Sequence, residues 1–464
     1  MPRGRAAWLV AAAAVFLGLW GIGQAFRSDE VWSLRAVAMP WDRMMEELRG
    51  DVHPPLYYWL LRAWTRVAGT GERGARLLSL LLGLVAAGAV HRLARDWFGP
   101  RGALLAAAVF ATSPLIVMAE QFVRMYALLA LASAVSMGMF LRLSLGGRVR
   151  GRDVAWYVAA NAVGTFTHVW FFFLLLGQGA AHLALRRFSR LGWMTLAAAL
   201  SLAPYGLYWL PVLLRQIRTT DRALAWAAQP GVGDAAGALM LLGWFWWLAI
   251  PAFWRVKPRH PHAVALACVV TMAVALAVPF AVSFWKPVFW ARFTIVTLPA
   301  LALAIGSLAP EKERVRFEPA VLAAVCVVAF LVVGFYQSKC DSRFGAEFLR
   351  EHARAGDLVV FTNMSRLPVD HYWRNGEIEA RSFPEENDGH PGFDGPAPAE
   401  TLEREAEEIA GTGRRVIVFH GFRPKKEAVL IGRMERAMRR VDALCRECEA
   451  MGSYYNRISV FDPR

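Results

Sequence analysis

Up to about residue 337 the chain is a succession of apolar runs separated by short basic connections, and that alternation constrains the fold more than any other feature. A run near ~20 residues is what an α-helix needs to cross hydrocarbon, where every backbone N–H and C=O must be paired within the segment. About eleven spans are expected, at approximately 6–26, 76–94, 102–118, 125–142, 154–166, 170–185, 193–210, 236–254, 262–282, 293–309 and 318–336. The first follows Arg3 and Arg5. Gly23-Gln24-Ala25 loosely resembles a leader cleavage site, but the apolar run is long and further spans follow, so an uncleaved signal anchor is expected.

Charge sets the orientation. Basic groups recur in alternate connections: Arg92, Arg95 and Arg101; Arg142, Arg148, Arg150 and Arg152; Arg186, Arg187 and Arg190; Arg255, Lys257 and Arg259; Lys312, Arg314 and Arg316. With Arg3 and Arg5 they fall on one side if the spans alternate, and the positive-inside rule makes that side the cytoplasm. The formal charge of +15 therefore has its source in cytoplasmic loops. No nucleic-acid-binding signature accompanies it, and nucleic acid is not an expected partner. The chain is expected to be a multi-pass protein of the inner (plasma) membrane, with a cytoplasmic N-terminus and an extracytoplasmic C-terminal domain.

The outer side receives the loop 27–75, a set of short turns and the tail after Gln337. In the loop, "WDRMMEELRG" (Trp41 to Gly50) sets Met44, Met45 and Leu48 beside charged residues and ends in glycine, as a surface amphipathic helix does. Pro54 and Pro55 can open a second helix but cannot continue the first, and Tyr57, Tyr58, Trp59 and Trp64 suit a membrane interface. The expected fold is an all-α polytopic membrane domain over 1–337, with juxtamembrane helices in its first outer loop. A small α/β domain over 338–464 completes it. "DLVVFT" (Asp357 to Thr362) and "RRVIVFHG" (Arg414 to Gly421) read as buried strands. "AETLEREAEEIAG" (Ala399 to Gly411) and "EAVLIGRMERAMRRV" read as helices, and "NDGHPGFDGPAPA" as a loop. Of the five cysteines, Cys268 and Cys326 lie in apolar runs. Cys445-x-x-Cys448 suits either a disulfide or half a metal site; no further ligands are spaced for metal, which favours one disulfide among Cys340, Cys445 and Cys448.

Polar groups carry most information where lipid should exclude them. Asp29-Glu30 follows the first run, either as a solvated helix flank or as paired acids at a membrane-surface site. Asp51 and His53 adjoin the Pro-Pro pair; Glu120, Arg124 and Tyr126 lie at the next outer turn; His168 lies at a third, and Lys286 and Arg292 at a fourth. Each has a plain alternative. Glu120 and Arg124 stand at i and i+4, the spacing of a helix-surface ion pair, and a cation at a helix end can simply snorkel. Taken together they put carboxylates, imidazoles and cations on one side of the membrane. A carboxylate can serve as general base, and cations can stabilise a leaving phosphate as its charge develops.

The ordered set Asp29-Glu30, "HPPLYYWLL" (His53 to Leu61), "RMYALL" (Arg124 to Leu129), "THVWFFF" (Thr167 to Phe173) and "RFTIVTLPALALAIG" (Arg292 to Gly306) resembles the GT-C glycosyltransferases related to protein O-mannosyltransferases and the lipid A aminoarabinose transferase. It looks like the bacterial branch labelled dolichyl-phosphate-mannose-protein mannosyltransferase-like. The resemblance covers roughly the first 310 residues. It implies a polyprenyl-phosphate sugar donor, a water-facing cavity on the non-cytoplasmic side and inversion at the anomeric carbon. It also implies that Asp29 is the catalytic base with Glu30 in support, and that His53, Arg124, Tyr126 and Arg292 serve the donor phosphate, with Lys286 a further candidate there. Asp51, Glu120 and His168 remain candidates on position alone. The protein O-mannosyltransferase pattern has a histidine soon after the acidic pair, whereas Val31 and Trp32 follow here, and no β-trefoil domain is visible. The acceptor is therefore left open among an envelope glycan, a lipid and a protein. No cofactor is required by this reading; Asp29 and Glu30 could accept a divalent metal, but two adjacent carboxylates are not a site on their own. A competing reading is a transporter or flippase of a lipid-linked sugar, but no internal repeat is evident and the candidate groups gather at one surface rather than at the midplane.

Overall fold

The computed structural model describes residues 3–223, 229–243, 260–309, 319–337, 342–362, 365–373, 376–385, 397–421, 424–445 and 457–464. The chain forms two compact units: Met1–Ile22, Pro40–Ile217 and Ala227–Val333 make the first, and Gly23–Met39, Arg218–Trp226 and Gly334–Arg464 the second.

The first unit is helical. Its opening helix, α1 (Arg3–Trp20), stops short of the expected run to residue 26, because Gly21 and Gly23 frame a turn. Glycine in a helix interior costs about 1 kcal/mol relative to alanine. Three helices then occupy the region read as one outer loop. These are α2 (Ser28–Ala38), which belongs to the second unit and was not foreseen, and the two expected amphipathic helices α3 (Trp41–Gly50) and α4 (Leu56–Ala68). The expected spans 76–94 and 102–118 are distributed differently. α5 (Glu72–Ala111) runs through both and kinks at Gly99, whose φ of 71° suits only glycine, next to Pro100. It ends before Ser113, and Pro114 opens the short α6 (Pro114–Glu120), so the second of these spans is broken.

The next helices lie close to expectation: α7 (Tyr126–Leu145), α8 (Gly151–Thr165) and α9 (Phe171–Ala184). α10 (Leu191–Tyr208) bends by 67° into α11 (Leu210–Ala223), a break that the apolar run at 193–210 did not announce. α12 (Val232–Leu242) covers the start of the run at 236–254; the rest of it, and the basic connections holding Arg255, Lys257, Arg259, Lys312, Arg314 and Arg316, lie outside the described residues. α13 (His260–Val282) follows; then a 3-10 turn (Ala291–Thr297) leads into α14 (Leu298–Gly306), and α15 (Pro319–Gln337) closes the helical series. Among the described residues three helices are long and apolar enough to cross a membrane: Glu72–Ala111, Tyr126–Leu145 and His262–Val282. The bent pair makes a fourth if it counts as one span, and five shorter apolar helices accompany them.

α7 is buried along most of its length between α5 and α8, and α9 runs along α13. Buried polar groups tie these helices together. The Tyr157 hydroxyl donates to Gln178 Oε1 (2.8 Å), Gln178 Nε2 donates to Ser136 Oγ (2.9 Å), Ser136 Oγ donates to Asn161 Oδ1 (2.6 Å), and Asn161 Nδ2 donates to Ser201 Oγ (3.3 Å). In an apolar surround such a ladder fixes helix register, since lipid-like side chains alone give little preference. One of the basic loops has a structural use too: Arg190 donates to the carbonyls of Leu143 (2.9 Å), Gly146 (2.7 Å) and Gly147 (2.8 Å) at the C-terminal end of α7.

The second unit is built on a five-stranded sheet. β1 (Leu358–Thr362), β2 (Glu379–Phe383), β3 (Val416–Phe419), β4 (Met438–Arg440) and β5 (Ile458–Pro463) lie in the order β2-β1-β3-β5-β4. β1 pairs in parallel with β2 and β3, while β5 is antiparallel to β3 and β4. Both faces are covered. Val359 and Phe361 pack with Phe348 and Leu349 of α16 (Arg343–His352) and with Val369 and Trp373 of α17 (Arg366–Trp373). Leu358 and Val360 pack with Leu402, Ala406 and Ile409 of α18 (Ala399–Ala410) and with Leu430 and Met434 of α19 (Pro424–Ala437). Strands buried on both faces read as the continuous apolar runs seen in the sequence. The helix expected through residue 441 ends at Ala437, and Met438–Arg440 pairs with β5 instead. α2 is fastened within this unit: the Phe26 N–H donates to the Tyr372 hydroxyl (2.8 Å), Ser342 Oγ donates to the Phe26 carbonyl (3.0 Å), and α2 packs on α17. Cys340, Cys448 and most of the loop before α18 lie outside the described residues.

Candidate functional site

The acidic pair occupies the first turn of α2, one residue beyond an extended Arg27. The two carboxylates are not equivalent there. Glu30 is fully buried and accepts the Arg27 backbone N–H (3.0 Å), closing the start of the helix as the acid of a capping box does. Asp29 is only half-buried, and its backbone carbonyl accepts the Ser33 hydroxyl (2.8 Å). Glu30 thus has a structural duty that the sequence reading did not assign to it.

The cations and imidazoles gather in the first unit, carried by four separate connections. His53 lies between α3 and α4, Arg124 in the turn before α7, His168 in the turn between α8 and α9, and Arg292 in the 3-10 segment. Backbone pairing holds two of these connections together, since the Leu56 N–H donates to the Phe166 carbonyl (3.1 Å). As a result the His53 and His168 rings lie 5.2 Å apart between centroids. Tyr126 lies 6.2 Å from His168, and the Arg292 guanidinium stands 5.8 Å above the Tyr126 ring. Phe293 packs against His168 (4.6 Å) and Tyr126 (6.1 Å). Arg124 Nη1 donates to the Tyr58 hydroxyl (3.1 Å), which in turn reaches Asp51 Oδ2 (3.5 Å). Tyr58 is fully buried and was read from sequence only as an interfacial aromatic. Its neighbours on both sides in sequence are aromatic, so nothing local marked its hydroxyl as the bridge between Arg124 and Asp51.

Burial and positive charge dominate the electrostatics. Burial first, then Arg124, the neighbouring His168 and Arg292, hold His53 well below the ordinary imidazole range. Burial, then Arg124 and Arg292, bring His168 down to about 3. Both rings are therefore neutral at pH 7. His168 Nδ1 accepts the Trp170 backbone N–H (3.1 Å), so its neutral ring carries the proton on Nε2. That Nε2–H is buried without a hydrogen-bond partner, and so is Nδ1 of His53.

Two candidates lie differently. Lys286 donates to the Ile217 carbonyl (3.1 Å) in an exposed position. Glu120 makes no ion pair with Arg124: α6 ends at Glu120, so no helical turn carries the i, i+4 spacing across. Its side chain is buried in a notch lined by Gly18 of α1 and Gly83 of α5, with Oε2 lacking a hydrogen-bond partner.

His53, Arg124, His168 and Arg292 thus come together from four separate connections of the helical unit. Residues 52–209, which hold His53, Arg124, Tyr126 and His168, match the family model described as dolichyl-phosphate-mannose-protein mannosyltransferase. The chain has the GT-C fold. In particular, it is similar over 99% of its length to ArnT from Cupriavidus metallidurans bound to undecaprenyl phosphate, with 13% identity, 98% of that chain covered and a TM-score of 0.63. The apo state of the same ArnT gives 15% identity and a TM-score of 0.62, with 98% of each chain covered. No curated protein matches the chain in sequence.

Proposed function

We propose that this chain is an inner-membrane glycosyltransferase that moves a sugar from a polyprenyl-phosphate donor to a cell-envelope glycan, lipid or protein on the non-cytoplasmic side. The observation that carries the reading is the cluster of Arg124, Arg292, His53 and His168, whose buried unpartnered imidazole nitrogens suit a phosphate. The family match over the segment bearing three of these four residues, and an ArnT relative of the same fold bound to undecaprenyl phosphate, support it further.

The chemistry is a single displacement. Asp29 takes the proton from the acceptor hydroxyl or amine as that group attacks the anomeric carbon from the side opposite the phosphate. The bond between the anomeric carbon and the phosphate oxygen breaks, and its electron pair stays on that oxygen. The configuration inverts, and polyprenyl monophosphate leaves. The leaving group gains one negative charge in this step, and Arg124 and Arg292 answer it with charge-assisted hydrogen bonds. Tyr126 supports Arg292 from beneath through its ring face. Glu30 secures the turn that presents Asp29.

The test is incubation of the purified chain in liposomes with a radiolabelled polyprenyl-phosphate sugar and an envelope extract. Covalent transfer of label to an acceptor is the expected result. Movement of label across the bilayer with no covalent transfer would replace the enzyme by a flippase.

A further inference from the structure

The two imidazoles ask more of the site than phosphate binding by arginine would. Arg124 and Arg292 already supply fixed positive charge, yet two further titratable rings are buried beside them, 5.2 Å apart. With both guanidinium groups near and no anion present, a proton on either ring is opposed by burial and by like charge. The groups facing the pair are Arg124, Arg292 and the Tyr126 ring, together with Asp51 through Tyr58. Of these only Asp51 brings negative charge, and Tyr58 stands between it and Arg124.

A phosphate monoester reverses this balance. It carries two negative charges above its second pKa of about 6, against one for a phosphodiester. Its arrival supplies the missing acceptor for the His168 Nε2–H and cancels the repulsion that keeps the rings neutral. The Nδ1 of His53, unpartnered and buried, is then open to a proton that bonds the anion. We infer that His53 and His168 form a proton-linked phosphate clamp: binding of the polyprenyl monophosphate product draws one proton from solvent into the imidazole pair, whereas the phosphodiester donor draws less. This inference rests on the proposed function and deepens it. It makes product retention stronger at low pH and product release faster at high pH.

The sign follows from linkage. A site that takes up one proton with its ligand binds about tenfold more tightly for each unit fall in pH, as long as the free rings are neutral and the bound pair is protonated. Between pH 7.5 and 8.5 the monoester is already a dianion, so its own titration does not imitate the effect.

The experiment is calorimetric titration of the full chain in detergent with undecaprenyl phosphate at pH 7.5 and 8.5, in buffers of different ionisation enthalpy. The methyl diester of undecaprenyl phosphate serves as the singly charged control. The expected result is uptake of about one proton with the monoester and less than half of that with the diester. The double variant His53→Asn/His168→Gln keeps amide hydrogen-bonding groups near the positions of the two nitrogens without titrating. It should bind the monoester with no proton uptake and no dependence of affinity on pH. Tight binding of the monoester by wild type without proton uptake would overturn the clamp and leave the proposed function standing. Equal uptake with the diester would overturn the discrimination. Folded wild-type protein that binds neither lipid would remove the clamp and the donor site together, which separates that failure from the first. Should the double variant not fold, the monoester-against-diester comparison in wild type still decides.

Discussion

Arg124 is the residue whose loss should most weaken the proposed phosphate site while leaving the fold in place. It is buried, it lies beside both imidazoles, and it donates to the Tyr58 hydroxyl at 3.1 Å. Replacement by methionine removes the charge-assisted hydrogen bond to the Tyr58 hydroxyl, which contributes about 1.5–3 kcal/mol of stability. It also relieves the burial of a charge, so the net change in unfolding temperature should be small. Its effect on a bound phosphate is larger, because hydrogen bonds between ionised groups contribute about 1.5–3 kcal/mol each and a guanidinium can offer two. With Arg292 and the imidazoles still present, a net loss of about 2–3 kcal/mol is expected, which is roughly 30- to 150-fold in Kd for undecaprenyl phosphate. Arg124→Lys keeps the charge and loses the fork, and should fall between, near ~10-fold. Arg124→Met should also raise the imidazole pKa values, since one of the two guanidinium groups that depress them is gone while burial remains. Affinity by titration, with histidine resonances followed by NMR, checks both halves. An Arg124→Met protein that is folded and binds within about threefold of wild type would refute the assignment of Arg124 to the phosphate.

Other consequences are structural. Gly83→Ala would drive a Cβ into Oε1 and Cγ of Glu120, an overpacking worth ~1–3 kcal/mol. Thermal unfolding in detergent should show that loss in wild type and little of it in a Glu120→Ala background; equal losses in both would mean that the notch is not what Gly83 serves. In the second unit, Glu427 accepts Thr362 Oγ1 (3.0 Å) and the Gly421 N–H (3.1 Å) and pairs with His420, which also bonds Ser459 Oγ (2.8 Å). Thr362 Oγ1 also reaches the Phe419 carbonyl (3.0 Å) and the Gly421 N–H also reaches Thr362 Oγ1 (2.7 Å), so Glu427→Ala chiefly strips buried His420 of its carboxylate partner and should cost about 1–3 kcal/mol. Hydrogen exchange in β1 and β3 of the intact chain should accelerate accordingly, and unchanged protection there would contradict the role.

Local pattern was enough for elements whose signal is local. The proline pair before α4, the amphipathic spacing of Met44, Met45 and Leu48 in α3, and the doubly buried strands β1 and β3 were all legible. α2 was not, because an apolar run reaching Phe26 masks the two glycines that end α1, and "SDEVWSLRAVA" has no single apolar stripe. Met438–Arg440 reads as a continuation of its helix; only pairing with β5, some twenty residues on, makes it a strand. The site divides in the same way. The sequence offered His53, Arg124, His168 and Arg292 as candidates at separate turns, but not the backbone bond from Leu56 to Phe166 that joins two of those turns. The Tyr58 bridge and the polar network of Thr362, His420, Glu427 and Ser459 were invisible, since each depends on residues brought together from distant segments.

The base assignment is the step on which the proposed chemistry turns, and Asp29→Asn tests it most directly. The substitution keeps the size of the side chain and leaves the Glu30 cap and the Ser33 contact to the Asp29 carbonyl in place. Purified, folded Asp29→Asn protein should bind undecaprenyl phosphate as wild type does. Its rate of sugar transfer from a polyprenyl-phosphate donor should fall by about 10²- to 10⁴-fold, the usual contribution of a general base. Transfer at the wild-type rate would contradict the account.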